Sequence, residues 1–597
     1  MVTGAESLDW NEPARGWFAR LWSAFRRWFH TPGGMPASGP AEGFAADVTP
    51  MLEKAAALGK SGQLAEALPI LRAALSRQEA AAGDGHPSVA SILNHLAAVL
   101  FAKGEAAAAR PYLERALVIR EKRFGAEHAE VASALNNLAG LLCAEGDTGS
   151  ARPLYERALA IREKVLKPDD LDLAASLNNL AEVLRAQDEY GAAKPLYRRA
   201  IGIYTESLGQ AHPMVATCAT NLAEVLRLSG DAPNAQPLYE ESLPVLEVAF
   251  GPDHPAVASC LSGLAGSLRM CERAVEAEPL YRRALAILER TTGPEHADTA
   301  SCLARMSEMY RSMGRLEESR QCAERALAVR VSVLGREHPL VATSLVTLAD
   351  LTQAEDRPAA AQALYEEALG IFIGSLGQDH PLVGSCLDSL GELRMLQGDP
   401  RGARALFARA LEVFERTVGE DTLECALTLR NLAEAWRAEG NLAESLPAQQ
   451  RAIELMTSLL GDEHPDLGAA HTALAETYCL QGDFRGARPH CEEALVIFER
   501  VLGRDHPDLA IGLSNLAGVL FAQGEYDSAR PLYERALAIR ERTLGAHHPD
   551  VAANLANLAE VHRALGDLAG AQSLLQRATD GRTEGDEGDG GLPRWIN

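Results

Sequence analysis

Apolar and small side chains return with a fixed beat along most of this chain. Leu177, Leu180, Ala181 and Leu184 fall at i, i+3, i+4 and i+7, the spacing of one helical stripe. A polar break follows around Asp188. Then Ala193, Leu196, Tyr197, Ala200 and Ile203 mark the stripe of a second helix. The passage LGQAHP closes the unit at Pro213, which suits a helix's first position because its missing N–H would be unpaired there. The beat has one constant period, the step from His86 to His128 and again from His212 to His254. ALNNLAGLLCAEGDTGSARPLYERALAIREKVL from Ala134 returns nine periods later as GLSNLAGVLFAQGEYDSARPLYERALAIRERTL from Gly512. Ten histidines, from His86 to His548, share one register, and Asp170 and Thr422 fill its two other places. Twelve units thus pass without insertion or deletion, behind a shortened unit that begins at Thr49.

Small residues explain how such units pack. The register from Ala97 to Ala559 holds ten Ala, one Ser and one Gly, and the register from Leu96 to Leu558 is Leu except at Met306. Alternating small and large side chains let antiparallel helices approach and interlock. One pair cannot bury both of its faces; a stack of pairs can.

Charge narrows the choice of partners. The net charge is −25 over 597 residues, and almost all of it lies between residues 49 and 580. Such a body repels nucleic acid and anionic membrane. The ten cysteines include no C-x-x-C pair, and Cys218, Cys260 and Cys302 recur one period apart, as buried reduced thiols would. No apolar run is long enough to span a bilayer. Arg20, Arg26 and Arg27 break up any signal-peptide core. The expected compartment is the cytoplasm.

Large–x–x–large–Ala on the first helix and Ala–x–x–x–Tyr–x–x–Ala on the second resemble the tetratricopeptide repeat. The 42-residue form, with LNNLA and ALAIREKVLG…HP, is similar to the repeats of kinesin light chains and their bacterial relatives. The resemblance covers residues 49–580. It implies an all-α tetratricopeptide-repeat solenoid, a right-handed superhelix of about thirteen antiparallel helix pairs. It also implies a scaffold without enzymatic activity or cofactor, whose partners are proteins or peptides. No heptad segment stands ahead of the array, so a motor subunit is not expected, and the Ala- and Arg-rich style is bacterial.

The chemistry-bearing residues agree with a scaffold. Ten of sixteen histidines sit in the inter-repeat turn, where a polar side chain before proline pins the turn. Recurrence once per unit is not how a catalytic or metal-binding histidine behaves. No nucleophile, phosphate-loop or zinc motif stands in a suitable context. The first helices carry a second, polar stripe, expected to be exposed beside the core stripe. Candidate peptide-binding residues on it are Asn136, Asn137, Asn178, Asn179, Glu182, Arg185, Asn221, Glu224, Arg227 and Arg269. An asparagine amide both donates and accepts, so it can hold a ligand backbone of any sequence; Arg and Glu can add charge selection. The asparagines of kinesin light chain repeats act in this way, in grooves that favour acidic peptides. The interleaved acids of this chain leave that preference open, and solubilising a helix face is the plainer alternative for the charged pairs.

Residues 1–48 differ in character. Trp17, Phe18, Leu21, Trp22, Phe25, Trp28 and Phe29 form one face of a helix, with arginines opposite. The face suits the surface of a membrane, an anionic inner leaflet above all. A cap on the first repeat and a docking helix for a partner are the alternatives. TPGGMPASGPAEG then reads as a flexible linker. SLDWNE, upstream, resembles the tryptophan-plus-acid peptides bound by kinesin light chain grooves, which would make it a pseudo-ligand. Residues 581–597 read as an acidic, Gly-rich, disordered tail.

Overall fold

The computed structural model describes residues 43–580 apart from 46, 502 and 505. The described residues form 26 helices and no strand. They pair in chain order, from Val48–Lys60 with Leu64–Ala82 to Pro549–Ala564 with Leu568–Asp580. From Pro87–Ala102 onward the first helices are all of one length, and each begins one period after the last. The chain divides into two compact units, the first ending at Arg336 and the second beginning at Glu337. The first holds seven pairs and the second six.

The turn chemistry follows from the sequence. His86, His128, His212, His254, His296, His338, His380, His464 and His548 each stand at the N-cap of a first helix, and Nδ1 accepts the backbone N–H two residues on. The His254 bond is 3.1 Å. Acceptance at Nδ1 places the ring proton on Nε2. Of the two departures from histidine, Asp170 caps in the same way and Thr422 accepts the N–H three residues on. The register therefore selects a hydrogen-bond acceptor for an orphan helix N–H rather than an imidazole as such. The turn inside each pair needs a left-handed residue. Gly146 supplies one with φ 85°, while Asp188, Glu272 and Asp356 adopt φ of 58°, 61° and 58° in the three full repeats that lack glycine there.

Each pair closes on its small registers. Ala139, Ala181, Ala223 and Ala265 of the first helices are buried, as are Ala116, Ala158, Ala200 and Ala284 of the second. Large side chains fill the spaces between: Leu180 and Leu184 from one side, Tyr197 and Ile203 from the other. Truncating one such leucine to alanine costs about 2–5 kcal/mol. Burial pushes the thiols of Cys143, Cys260, Cys302 and Cys386 up to about 12, so these cysteines act as small apolar fillers. Within each unit, neighbouring helices pack in sequence, and successive first helices also touch, as Pro213–Leu228 does Pro255–Met270. That second contact decides the fate of the polar stripe.

Candidate functional site

The polar stripe of the first unit is covered, contrary to the exposure expected from one helix alone. Glu182 is 2% exposed, Asn178 5%, and Asn179 and Arg185 8% each; Arg227 is buried as well. Asn136, Asn137, Asn221, Glu224 and Arg269 are half-buried. Stacking of first helices covers the asparagines, while the acids are covered also by the tyrosine and arginine of their own repeat. An isolated amphipathic helix gives no sign of those neighbours.

Stacking joins the asparagines. Asn221 Nδ2 donates to Asn178 Oδ1 at 3.3 Å, Asn178 Nδ2 to Asn179 Oδ1 at 3.4 Å, and Asn179 Nδ2 to Asn136 Oδ1 at 3.1 Å. The result is an amide ladder over three helices, Ala129–Ala144, Leu171–Ala186 and Pro213–Leu228. Each rung between repeats spans 43 residues, one more than the period, because the donor register follows the acceptor register by one.

The charged members form a second row. Arg185 pairs with Glu182 at 3.4 Å and Arg227 with Glu224 at 2.8 Å. Sequence reasoning missed the phenols that complete these pairs. Tyr197 donates to Glu182 at 2.8 Å and Tyr239 to Glu224 at 2.7 Å. The signal was present as a constant spacing of fifteen residues between acid and tyrosine. Burial alone would push the Glu224 carboxyl up, but Arg227 and Arg305 hold it well below the usual carboxylate range.

Arg305 is the other residue missed. It stands at the asparagine register of Ala297–Ser312, and the helix before it has Gly263 and Gly266 where the preceding first helix has Asn221 and Glu224. Arg305 crosses this bare stretch, touching Ser262 Oγ at 3.5 Å and reaching Glu224 at 3.1 Å. The Tyr239 ring lies so close to Gly263 that a Cβ there would come within 2.4 Å of it. Arg269 pairs forward with Glu308 at 3.5 Å. The structure thus brings Asn136, Asn178, Asn179 and Asn221 into one ladder, and Glu182 with Arg185, Glu224 with Arg227, and Arg269 with Glu308 into separate ion pairs; Asn137 joins neither set.

The second unit carries a more acidic version of the row. Asn431 donates to Asp388 at 3.1 Å and to Glu392 at 3.2 Å. Burial, then Glu392, pushes the Asp388 carboxyl up to about 7. Arg437 binds Glu434 of its own repeat and Glu476 of the next, the latter at 2.7 Å.

Among the described residues no group of three His, Cys, Asp or Glu is placed to hold a metal ion, and no helix is long and apolar enough to cross a membrane. The aromatic face of Trp17, Phe18, Leu21, Trp22, Phe25, Trp28 and Phe29 lies outside the described residues, as do SLDWNE and residues 581–597.

Comparison with known proteins places this geometry in a family. No curated protein matches the chain. Among solved structures it is similar to a Podosopora anserina putative kinesin light chain with nearly identical TPR-like repeats, at 25% identity over 35% of this chain and 98% of that one, TM-score 0.31. It is also similar to BtubC (BKLC) from P. vanneervenii, at 24% identity over 42% of this chain and 91% of that one, TM-score 0.32. The tetratricopeptide repeat family matches residues 47–122, 88–164, 130–206, 214–273, 261–329, 301–373, 341–416, 424–490, 469–517 and 508–584, nearly the whole run of helices, so the chain belongs to that family.

Proposed function

We propose that this protein is a scaffold that binds an extended peptide or partner segment along the first-helix face of its first unit, in a concave groove. The family supports a non-catalytic, scaffold-type protein. The amide ladder carries the finer reading. A primary amide offers two N–H donors and two acceptor lone pairs. Asn178 and Asn179 each spend half of that capacity on their neighbours, and Asn136 and Asn221 a quarter. The remainder suits the alternating N–H and C=O groups of an extended backbone. Arg185, Arg227 and Arg269 are engaged with acids, so charge selection in the ligand would act by exchange within those pairs.

A peptide array probed with the full-length protein tests the reading. Asn137→Ala with Asn221→Ala should lose binding across unrelated sequences. Because Asn221 donates to Asn178, the melting temperature should fall slightly as well. A lowered melting temperature with binding unchanged would make the ladder a structural device only.

The aromatic face of residues 13–30 supports a second reading, an adaptor resting on the cytoplasmic face of a membrane. Only Trp436 and Trp595 lie outside the N-terminal segment, so tryptophan emission reports on it directly. Anionic vesicles should shift that emission to the blue, and Trp17→Glu with Phe25→Glu should abolish the shift. Emission that is already blue and unmoved by vesicles would favour packing on protein.

A further inference from the structure

Within the units, second helices pack against the first helix that follows, as Tyr526–Leu544 does against Pro549–Ala564. The tyrosine register marks that contact. The Tyr239 ring lies against Gly263 of the next helix, and Tyr239, Tyr281 and Tyr533 are all 2% exposed or less. Leu575 holds the same register in Leu568–Asp580, and it is 44% exposed. Leu568 stands where Phe484 and Tyr526 are half-buried, and it is 67% exposed. Seven residues, about two turns, separate the two leucines, so they share one face. Ala571 and Ala578 of the same helix are buried. The helix is therefore packed on its own partner and bare on the side where a further repeat would lie.

The first pair differs. In Val48–Lys60 and Leu64–Ala82 no large apolar side chain is exposed. The chain enters over the buried Gln78, whose Oε1 accepts the Ala45 N–H and whose Nε2 donates to the Gly43 carbonyl, both at 3.0 Å. Apolar surface in want of cover thus lies at the last pair. Beyond it, residues 581–591 hold five Gly, four acids and no apolar side chain. Leu592, Pro593, Trp595 and Ile596 then follow close together.

We propose that residues 592–596 fold back on Leu568–Asp580 and seal this face, with Trp595 and Ile596 against Leu568 and Leu575. The reach is right: a Gly-rich spacer of that length spans about 17–20 Å end to end. The helix itself is about 18–20 Å long. Such a tether gives the segment an effective concentration of about millimolar, so it meets the face before a free partner does. The sizes also match. A tyrosine inside the array is covered by a residue as small as Gly263; Leu575 is smaller than tyrosine, and a large ring on the covering side restores the filling. The first helix of another array could stack on the same bare face, so the sealed end keeps copies of the chain from joining end to end. This surface is separate from the asparagine ladder, and the proposal does not depend on the groove reading.

Trp595→Ser with Ile596→Ser tests it in the full-length chain, since neither change touches a residue of the array. Amide hydrogen exchange is the readout. Residues 568–580 should exchange about tenfold faster than in the native chain, while residues 484–501 keep their rate. Diluting the native chain should leave both rates unchanged, as a contact within one molecule requires. A second measurement uses the chain labelled with 5-fluorotryptophan. The Trp595 fluorine resonance, assigned by its loss in Trp595→Phe, should lie apart from that of a free peptide of residues 590–597. It should return to the peptide position in Leu568→Glu with Leu575→Glu. Equal exchange in the native and double-serine chains, or a native Trp595 resonance at the peptide position, overturns the proposal. Protection that is lost on dilution overturns it too, and assigns the face to a second copy.

Discussion

Arg305 and Glu224 lie two repeats apart in the stack, separated by 81 residues of sequence, and their Nη2 and Oε1 atoms are 3.1 Å apart. The contact is made over Gly263 and Gly266, the two places where the intervening helix gives up the side chains its neighbours carry. Arg227 also lies along this gap, its Cδ 3.2 Å from where a Gly266 Cβ would stand. A repeat array is ordinarily treated as a chain of nearest-neighbour couplings. Here one coupling skips a repeat. A double-mutant cycle of Arg305→Met and Glu224→Gln should therefore return an interaction energy of about 1–3 kcal/mol. Additive effects of the two changes would show the bridge to be energetically empty. Gly263→Asn, which restores the usual side chain, should destabilise by a similar amount through collision with Tyr239.

The left-handed turns offer a gain instead of a loss. Asp188, Glu272 and Asp356 hold φ near 60° without the freedom of glycine. The left-handed region costs a residue with a Cβ roughly 1–2 kcal/mol, less the chain entropy that glycine gives up on folding. Each substitution to glycine should raise stability by about 0.5–1 kcal/mol in urea melts. No gain in any of the three would mean that local contacts already compensate for the strain.

The histidine caps can be separated from any role for imidazole. His254→Ala removes the acceptor for the Ala256 N–H and should cost about 1 kcal/mol. His254→Asp supplies a carboxylate of the kind already used at Asp170 and should match or exceed the native stability. If the aspartate variant is as damaged as the alanine one, the ring itself matters.

His471 and His490 make one helix pair sensitive to acid. They occupy registers that are leucine in most repeats, and their Nδ1 atoms lie 3.1 Å apart, one donating and one accepting. Tyr478 stacks on His490, with ring centroids 5.7 Å apart. Burial, then the facing His490, lowers His471 from 6.5 to about 4; burial lowers His490 too, against the pull of Glu493. The stabilisation is complete above the ordinary value of 6.5. As pH falls from there toward 4, the unfolded chain takes up protons that the folded pair refuses, so stability drops. His471→Leu with His490→Leu should flatten that part of the pH profile and raise the melting temperature at pH 5. An unchanged slope would place the acid sensitivity elsewhere.

Much of this was legible beforehand, for a physical reason. Helix pairs, turns, caps and small-residue registers are local, and their period shows in any window one repeat long. The polar stripe was found, but its environment was misjudged. Whether Glu182 faces water depends on Tyr197 from its own repeat and on the stacking of the next first helix, which a single helical wheel omits. Arg305 escaped notice because its meaning lies in what the preceding helix lacks. Gly263 and Gly266 look like weak helix formers until Tyr239 and Arg227 are seen filling the space above them.

The rungs of the amide ladder carry a consequence for how such a gene can change. Asn179 reaches Asn136, Asn221 reaches Asn178, and Asn431 reaches Asp388, always 43 residues back. Each of these three donors finds its acceptor in the unit just upstream. Unequal crossing-over between two copies adds or removes whole repeats, and after either event each donor meets the same register in its new neighbour, which can accept where it carries Asn or Asp and not where it carries Ala304, Val346 or Ala556. A change of whole units thus keeps donor and acceptor registers in phase, whereas a gain or loss of one codon would put the rung that spans it out of step with the unit before it.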